Sequence, residues 1–249
     1  MSFILVSLGG ARALSSPAHG MTAARTKDAD GTGITLTPVN GKHRQVLIFM
    51  HGLGDQADGW ASMMHVLGDH DTKYILPNAP PRTISLNHGM VMPGWSDVYG
   101  LSLSDKEDAQ GFEESKARIM RIVMEEAKST PLNRIAIGGF SQGGALALYT
   151  ALTSPVALAG AVALSSWLPL RDKFPASVTA EGKAMKILQC HGKVDQVVGF
   201  EWGRSSNEVI SKYVTPPPKF LAFEGMGHHA DEEELEEVSK FLSQEIFKS

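Results

Sequence analysis

The sequence predicts a single-domain α/β protein, a mostly parallel sheet with helices packed on both faces. Three observations carry that prediction. Short apolar runs alternate with amphipathic helical stretches from about residue 45 onward, the pattern of strands joined by crossover helices. Several of these runs are apolar throughout, as strands covered on both faces are. The chain has 249 residues without internal repeat, Gly/Ser linker or low-complexity boundary, which suits one domain of this class.

The elements follow in order. Residues 1–44 read as a flexible N-terminal extension leading into a domain that spans 45–249, and residues 31–43 are polar and Gly-rich. Val46-Leu-Ile-Phe-Met50 is the first doubly buried strand and stops at the turn signal His51-Gly-Leu-Gly-Asp55. A short helix is expected over Trp60–Leu67 and a strand over Tyr74–Pro77. Residues 78–111 read as one long irregular stretch, and loops of that length inside a compact domain are usually functional or form lids. Phe112–Ala127 is a helix with Phe112, Ile119, Ile122 and Val123 on one stripe. Arg134–Gly138 is a strand, Gln142–Leu152 a helix, and Ala161–Leu164 and Lys186–Cys190 two further strands. A helix over Phe200–Tyr213 cannot continue through the triple proline 216–218. Lys219–Phe223 is the last strand and Asp231–Phe247 the last helix, its opening acids favoured by the helix dipole and expected on a solvated face.

Composition removes several function classes. The net charge is −4, with no basic field to attract nucleic acid. A single cysteine, Cys190, excludes an internal disulfide and points to a reducing, cytoplasmic setting. No apolar run reaches the roughly 18–20 residues of a membrane helix. Residues 1–27 lack acids and carry Arg12, Arg25 and Lys27, a weak likeness to a transit peptide; a flexible tail, with Met21 as another start, is the plainer reading. No H-e-x-x-H pattern or clustered ligand set suggests a metal, and no cofactor is expected.

The informative segment is Gly139-Phe-Ser141-Gln-Gly143. A G-x-S-x-G pentapeptide is weak alone, but here an apolar strand precedes it and an Ala/Leu-rich helix follows. That is the setting of a nucleophile elbow, a sharp strand-to-helix turn that lifts the serine above the sheet edge. A serine needs a base and the base an orienting carboxylate, which in this setting follow as acid and then histidine, each just past a strand. Asp195 and His228 occupy those loops. Asp172 is a second-ranked acid, His229 competes with His228, and His191 reads as a buried turn histidine. One oxyanion donor should be the amide of Gln142 and another should come from the loop at His51-Gly-Leu53-Gly. Gly52, Gly54 and Ala57 also match a dinucleotide fingerprint, with Asp69 or Asp71 near the ribose-binding distance. That rival leaves Ser141, Asp195 and His228 unexplained.

The chain strongly resembles the acyl-protein thioesterase family, lysophospholipase-like carboxylesterases of the α/β-hydrolase superfamily. The likeness rests on Phe49–Asp55, Met92–Asp97, Gly138–Leu146, Leu164–Leu170, Leu188–Gly192 with Asp195, and Glu224–His228. It implies an α/β-hydrolase fold, Ser141 as nucleophile, Asp195 as orienting acid, His228 as base, and Leu53 and Gln142 as oxyanion donors. Lys193 stands where relatives often carry an acid, and His229 where a small polar residue is common. The implied substrates are S-acylated proteins or lysophospholipids, with transient contact to a membrane surface. Residues 1–45 hold no cysteine, so anchoring through an acylated N-terminal cysteine is not expected. An acyl groove is expected from the 78–111 stretch and the segment after residue 164, with Met90, Met92, Trp95, Trp167 and Leu170 as its lining.

Overall fold

A computed structural model describes residues 24–27, 32–38, 40–67 and 71–248. Arg12 and Met21 of the N-terminal stretch, and Asp69 of the dinucleotide reading, lie outside the described residues. Among the described residues ten strands form in chain order: β1 (Ala24–Lys27), β2 (Ile34–Thr37), β3 (Gln45–Met50), β4 (Thr72–Leu76), β5 (Pro81–Ile84), β6 (Met90–Pro93), β7 (Ile135–Phe140), β8 (Gly160–Leu164), β9 (Ile187–Gly192) and β10 (Lys219–Phe223). The helices are α1 (Ala57–Ala61), α2 (Ala109–Glu126), α3 (Gln142–Leu152), α4 (Ala180–Lys183), α5 (Phe200–Ile210) and α6 (Glu232–Phe241). Eight strands make one sheet in the order β1-β2-β4-β3-β7-β8-β9-β10. Pairing is antiparallel for β1–β2–β4 and parallel from β4 to β10.

All six residues of β3 and of β7 are buried, and the one polar side chain among them, Gln45, donates its amide NH₂ to Thr72 Oγ1 at 3.0 Å. Alternate side chains serve opposite layers. Val46, Ile48 and Met50 face the core shared with α2, α3 and α5, while Leu47 and Phe49 face the core shared with α1 and α6. The parallel register brings strand ends level: Met50 pairs with Gly139, Phe140 with Leu164, Leu164 with Cys190, and Gly192 with Phe223. The loops that follow these ends therefore converge on one edge, the usual place for a ligand in such a sheet. Among the described residues no helix is long and apolar enough to cross a membrane.

Several elements differ from the sequence expectation. The sheet extends into the stretch set apart as a flexible extension, because Ile34 and Leu36 of β2 bury against the α1/α6 layer although only two apolar side chains mark the strand. The expected helix at 60–67 is a single turn, α1, followed by a 3₁₀ turn at Met63–His65. Within 78–111, β5 and β6 pair as an antiparallel hairpin in which Pro81 lies opposite Pro93. Prolines at its open end obscured it, being tolerated where no ladder donor is needed. The last helix leaves α geometry after Phe241 for a π turn over Leu242–Ile246, closed by Phe247 N–H to Leu242 O at 2.8 Å.

Candidate active site

Ser141 sits between the end of β7 and the start of α3 with φ 54° and ψ −120°, a left-handed backbone that costs a non-glycine residue on the order of 1–3 kcal/mol. Its amide donates to Leu164 O and its carbonyl accepts from Ala145 N–H. The glycines on either side permit the turn. A Cβ on Gly139 would lie 2.4 Å from the Gly143 carbonyl oxygen, and one on Gly143 would lie 2.2 Å from Met50 O. Helix α3 thus packs against the ends of β3 and β7 with no room for a side chain.

The loops after β9 and β10 bring Asp195 and His228 to that serine. His228 Nδ1 lies 2.7 Å from Asp195 Oδ2, and His228 Nε2 lies 2.9 Å from Ser141 Oγ. A carboxylate only accepts, so Nδ1 carries the proton and Nε2 is free to accept from the serine hydroxyl. Asp195 Oδ1 takes the amides of Val197 and Val198, each at 2.9 Å. Burial opposes the charge on Asp195, but bonds from His191 and His228 and the Val197 amide outweigh it and hold the carboxyl well below the usual range. Gly192 allows the β10 loop to close in, since a Cβ there would meet Met226 O at 2.1 Å. The Phe140 ring lies against His228 at 4.8 Å between centroids.

The other candidates lie elsewhere. His229 bonds neither Ser141 nor Asp195, and Asp172 is exposed beyond β8. His191 is buried behind the acid, its Nε2 2.8 Å from Val198 O and 3.5 Å from Asp195 Oδ2. Asp71 pairs with Arg44 at 3.2 Å.

The glycine loop after β3 serves the serine. An added Cβ on Gly52 would stand 3.4 Å from Ser141 Cβ. His51 pins this loop: Ala79 N–H donates to its Nε2 at 2.9 Å, so its Nδ1 donates to Gly52 O at 2.7 Å. Burial holds the His51 pKa down, which keeps it in this neutral form. The amides of Gly54 and Asp55 bond Pro93 O and Gly52 O, whereas the Leu53 amide has no backbone acceptor among the described residues. Gln142 opens α3, where an N–H has no partner within the helix. Its buried side chain takes Trp95 N–H and donates to Ser96, tying the 93–97 segment to the elbow.

A mainly apolar cavity, about 400 Å³ including its open mouth, lies beside Ser141, lined by Leu53, Leu86, Asn87, Val98, Leu101, Gln142, Trp167, Val197 and Val198. Of the five expected groove residues only Trp167 is among them. Met90 is half exposed on the hairpin, and so is Val91 on the opposite face of the same strand. Met92 stands one layer out, its sulfur 3.4 Å from Asn87 Nδ2. Trp95 is fully buried, with its indole N–H on His51 O at 2.8 Å. Leu170 packs into the core. The local cue to Val197 and Val198 is a pair of β-branched residues one position beyond the acid, after Gln196.

A parallel sheet with a strained serine at a strand–helix elbow and an imidazole and carboxylate aligned behind it defines the class, a hydrolase of the α/β-hydrolase fold. A profile for phospholipases and carboxylesterases matches residues 35–246, and the chain belongs to that family. Acyl-protein thioesterase 1 homolog 1 of Dictyostelium discoideum is 40% identical over 213 residues, covering 83% of this chain and 92% of that protein. Acyl-protein thioesterase 1 of Mycosarcoma maydis is 36% identical over 231 residues, covering 86% and 96%. Among solved structures, acyl-protein thioesterase 2 of Zea mays superposes with a TM-score of 0.79 at 30% identity, covering 86% of this chain and 98% of that one.

Proposed function

We propose that this hydrolase cleaves long-chain acyl thioesters from S-acylated proteins. The observation that carries the reading is the hydrogen-bonded series Ser141–His228–Asp195 at the mouth of an apolar cavity. Ser141 Oγ attacks the thioester carbonyl carbon while His228 Nε2 takes its proton and Asp195 steadies the imidazolium. The amides of Leu53 and Gln142 receive the negative charge that develops on the carbonyl oxygen. The C–S bond then breaks, the departing thiolate takes the proton from His228, and the acyl group remains on Ser141. Water, deprotonated by His228, releases the fatty acid and restores the serine. The chemistry draws on no metal or cofactor. Curated relatives named acyl-protein thioesterases support this choice of substrate.

The family's description also covers phospholipases and carboxylesterases, so a broad esterase acting on lysophospholipids is the second reading. Exposed Met90 and Val91 on the hairpin offer apolar surface for transient membrane contact by a cytoplasmic enzyme. The test is fluorophosphonate labelling coupled to hydrolysis of acetyl to palmitoyl thioesters and of a lysophospholipid, below micelle-forming concentrations. A kcat/KM that rises with thioester chain length and exceeds that for the lysophospholipid supports the first reading. A flat thioester profile overturns it in favour of the second.

A further inference from the structure

Glu107 belongs to no part of the triad, yet both of its carboxylate oxygens are engaged by the segment that follows β8. Oε1 accepts from Trp167 Nε1 at 2.8 Å and Oε2 from Leu170 N–H at 2.5 Å. Glu107 is itself set by a bridge to Val98, on the far side of the loop it closes. Trp167 and Val98 line the cavity beside Ser141 and also a second cleft, about 300 Å³ including its open mouth, where Glu107, Phe112 and Trp202 stand beside Asp97, Asp105 and Lys106. The two side chains are therefore a wall shared by both clefts.

The partition is held on several sides. The Trp167 ring lies on Trp202 at 4.8 Å between centroids, and Leu168 N–H donates to Ser206 Oγ at 2.9 Å. Leu170 has φ 51°, the left-handed region that disfavours a branched side chain. Its amide has an acceptor in that conformation because Glu107 supplies one. An indole N–H and a turn amide sharing one carboxylate is a costly use of a partly buried charge unless the indole must stay in place.

We propose that Glu107 is a positioning residue for acyl-chain selectivity: by locking Trp167 it keeps the wall between the cavity and the neighbouring cleft fixed. The proposal rests on the thioesterase reading. A long acyl chain then meets a fixed apolar wall, whereas a short one ends before reaching it.

The test is Glu107→Gln, which keeps the side chain's size but turns an amide NH₂ toward one of the two donors. In this variant kcat/KM for octanoyl and longer thioesters should fall about tenfold, roughly the effect of 1.4 kcal/mol, while acetyl thioester turnover changes far less. Trp167 emission, taken as the difference from Trp167→Phe, should shift and become more accessible to acrylamide. Equal losses at every chain length overturn the selectivity role and leave Glu107 merely structural. An unchanged Trp167 signal overturns the lock whatever the activity. A flat profile in the unmodified enzyme overturns the thioesterase reading instead, and the emission readout still decides the lock.

Discussion

On the serine side of the cavity, position is set by backbone. Strand ends held level by parallel register, a left-handed Ser141, and glycines whose missing Cβ atoms admit other backbone fix the site. On the opposite side, position is set by side chains that reach across the sequence. Glu107 holds Trp167 sixty residues away, and Gln142 holds Trp95 and Ser96 forty-six or forty-seven residues away. Small changes near the elbow should therefore be all-or-none, while changes in the far wall should be graded and should alter which substrates fit.

The sharpest contrast is Ser141→Ala, which removes one hydroxyl without relieving or adding backbone crowding. It should cost several orders of magnitude in kcat with an unchanged thermal transition. Fluorophosphonate labelling that survives in this variant would break the assignment of the nucleophile. Next comes the histidine pair. His228→Ala should approach the serine variant in kcat, while His229→Ala, which removes no bond to Ser141 or Asp195, should keep most of the turnover; steady-state rates on one thioester decide between them, and the reverse pattern moves the base by one residue.

Gly143→Ala tests the backbone side directly. Its Cβ would collide with Met50 O at 2.2 Å, and backbone cannot rotate away, so urea unfolding should report a loss of about 1–3 kcal/mol. Behind the loops that carry Asp195 and His228, Glu234 is fully buried on α6 with neither carboxyl oxygen bonded among the described residues. Burial, with Asp231 and Asp195 nearby, pushes its carboxyl well above the ordinary range. A raised folded-state pKa means that stability is complete below the unfolded-state value and declines as pH rises toward the folded-state one. Glu234→Gln should then stabilise the protein by about 1 kcal/mol at pH 7–8, with the gain vanishing near pH 4; equal melting curves at both pH values would refute this. The smallest effect is expected at Met90→Gln, outside the cavity lining, where kcat/KM on soluble thioesters should stay within about twofold. A flattened chain-length profile there would return the hairpin to the acyl site.

Much of this was legible in the sequence. The strands Val46–Met50 and Lys219–Phe223 and the helix Gln142–Leu152 stand where periodicity puts them. Strands covered on both faces are mostly apolar, and helix α3 is buried along its whole length. The hairpin β5–β6 was hidden because its prolines carry turn signals while its pairing depends on Met90–Pro93 arriving opposite Pro81–Ile84. The cavity lining was hidden for a related reason. In an irregular stretch no period tells which side chain faces inward, so Met90 and Leu86 look equivalent in sequence although only Leu86 lines the cavity.

By itself the sequence determined the class of sheet, the elbow at Ser141, and the loops that could carry an acid and a base, because each of these depends on local spacing and on where apolar strands stop. Tertiary structure alone decided the rest. It set His228, with its neighbour excluded, between Asp195 and Ser141, since one residue's step along a loop turns a side chain in a direction that no local pattern records. It put His191 behind the acid and His51 beneath the glycine loop, and it made Glu107 the holder of Trp167. Those contacts join residues far apart in the chain, and such a pairing exists only once the strands have come into register.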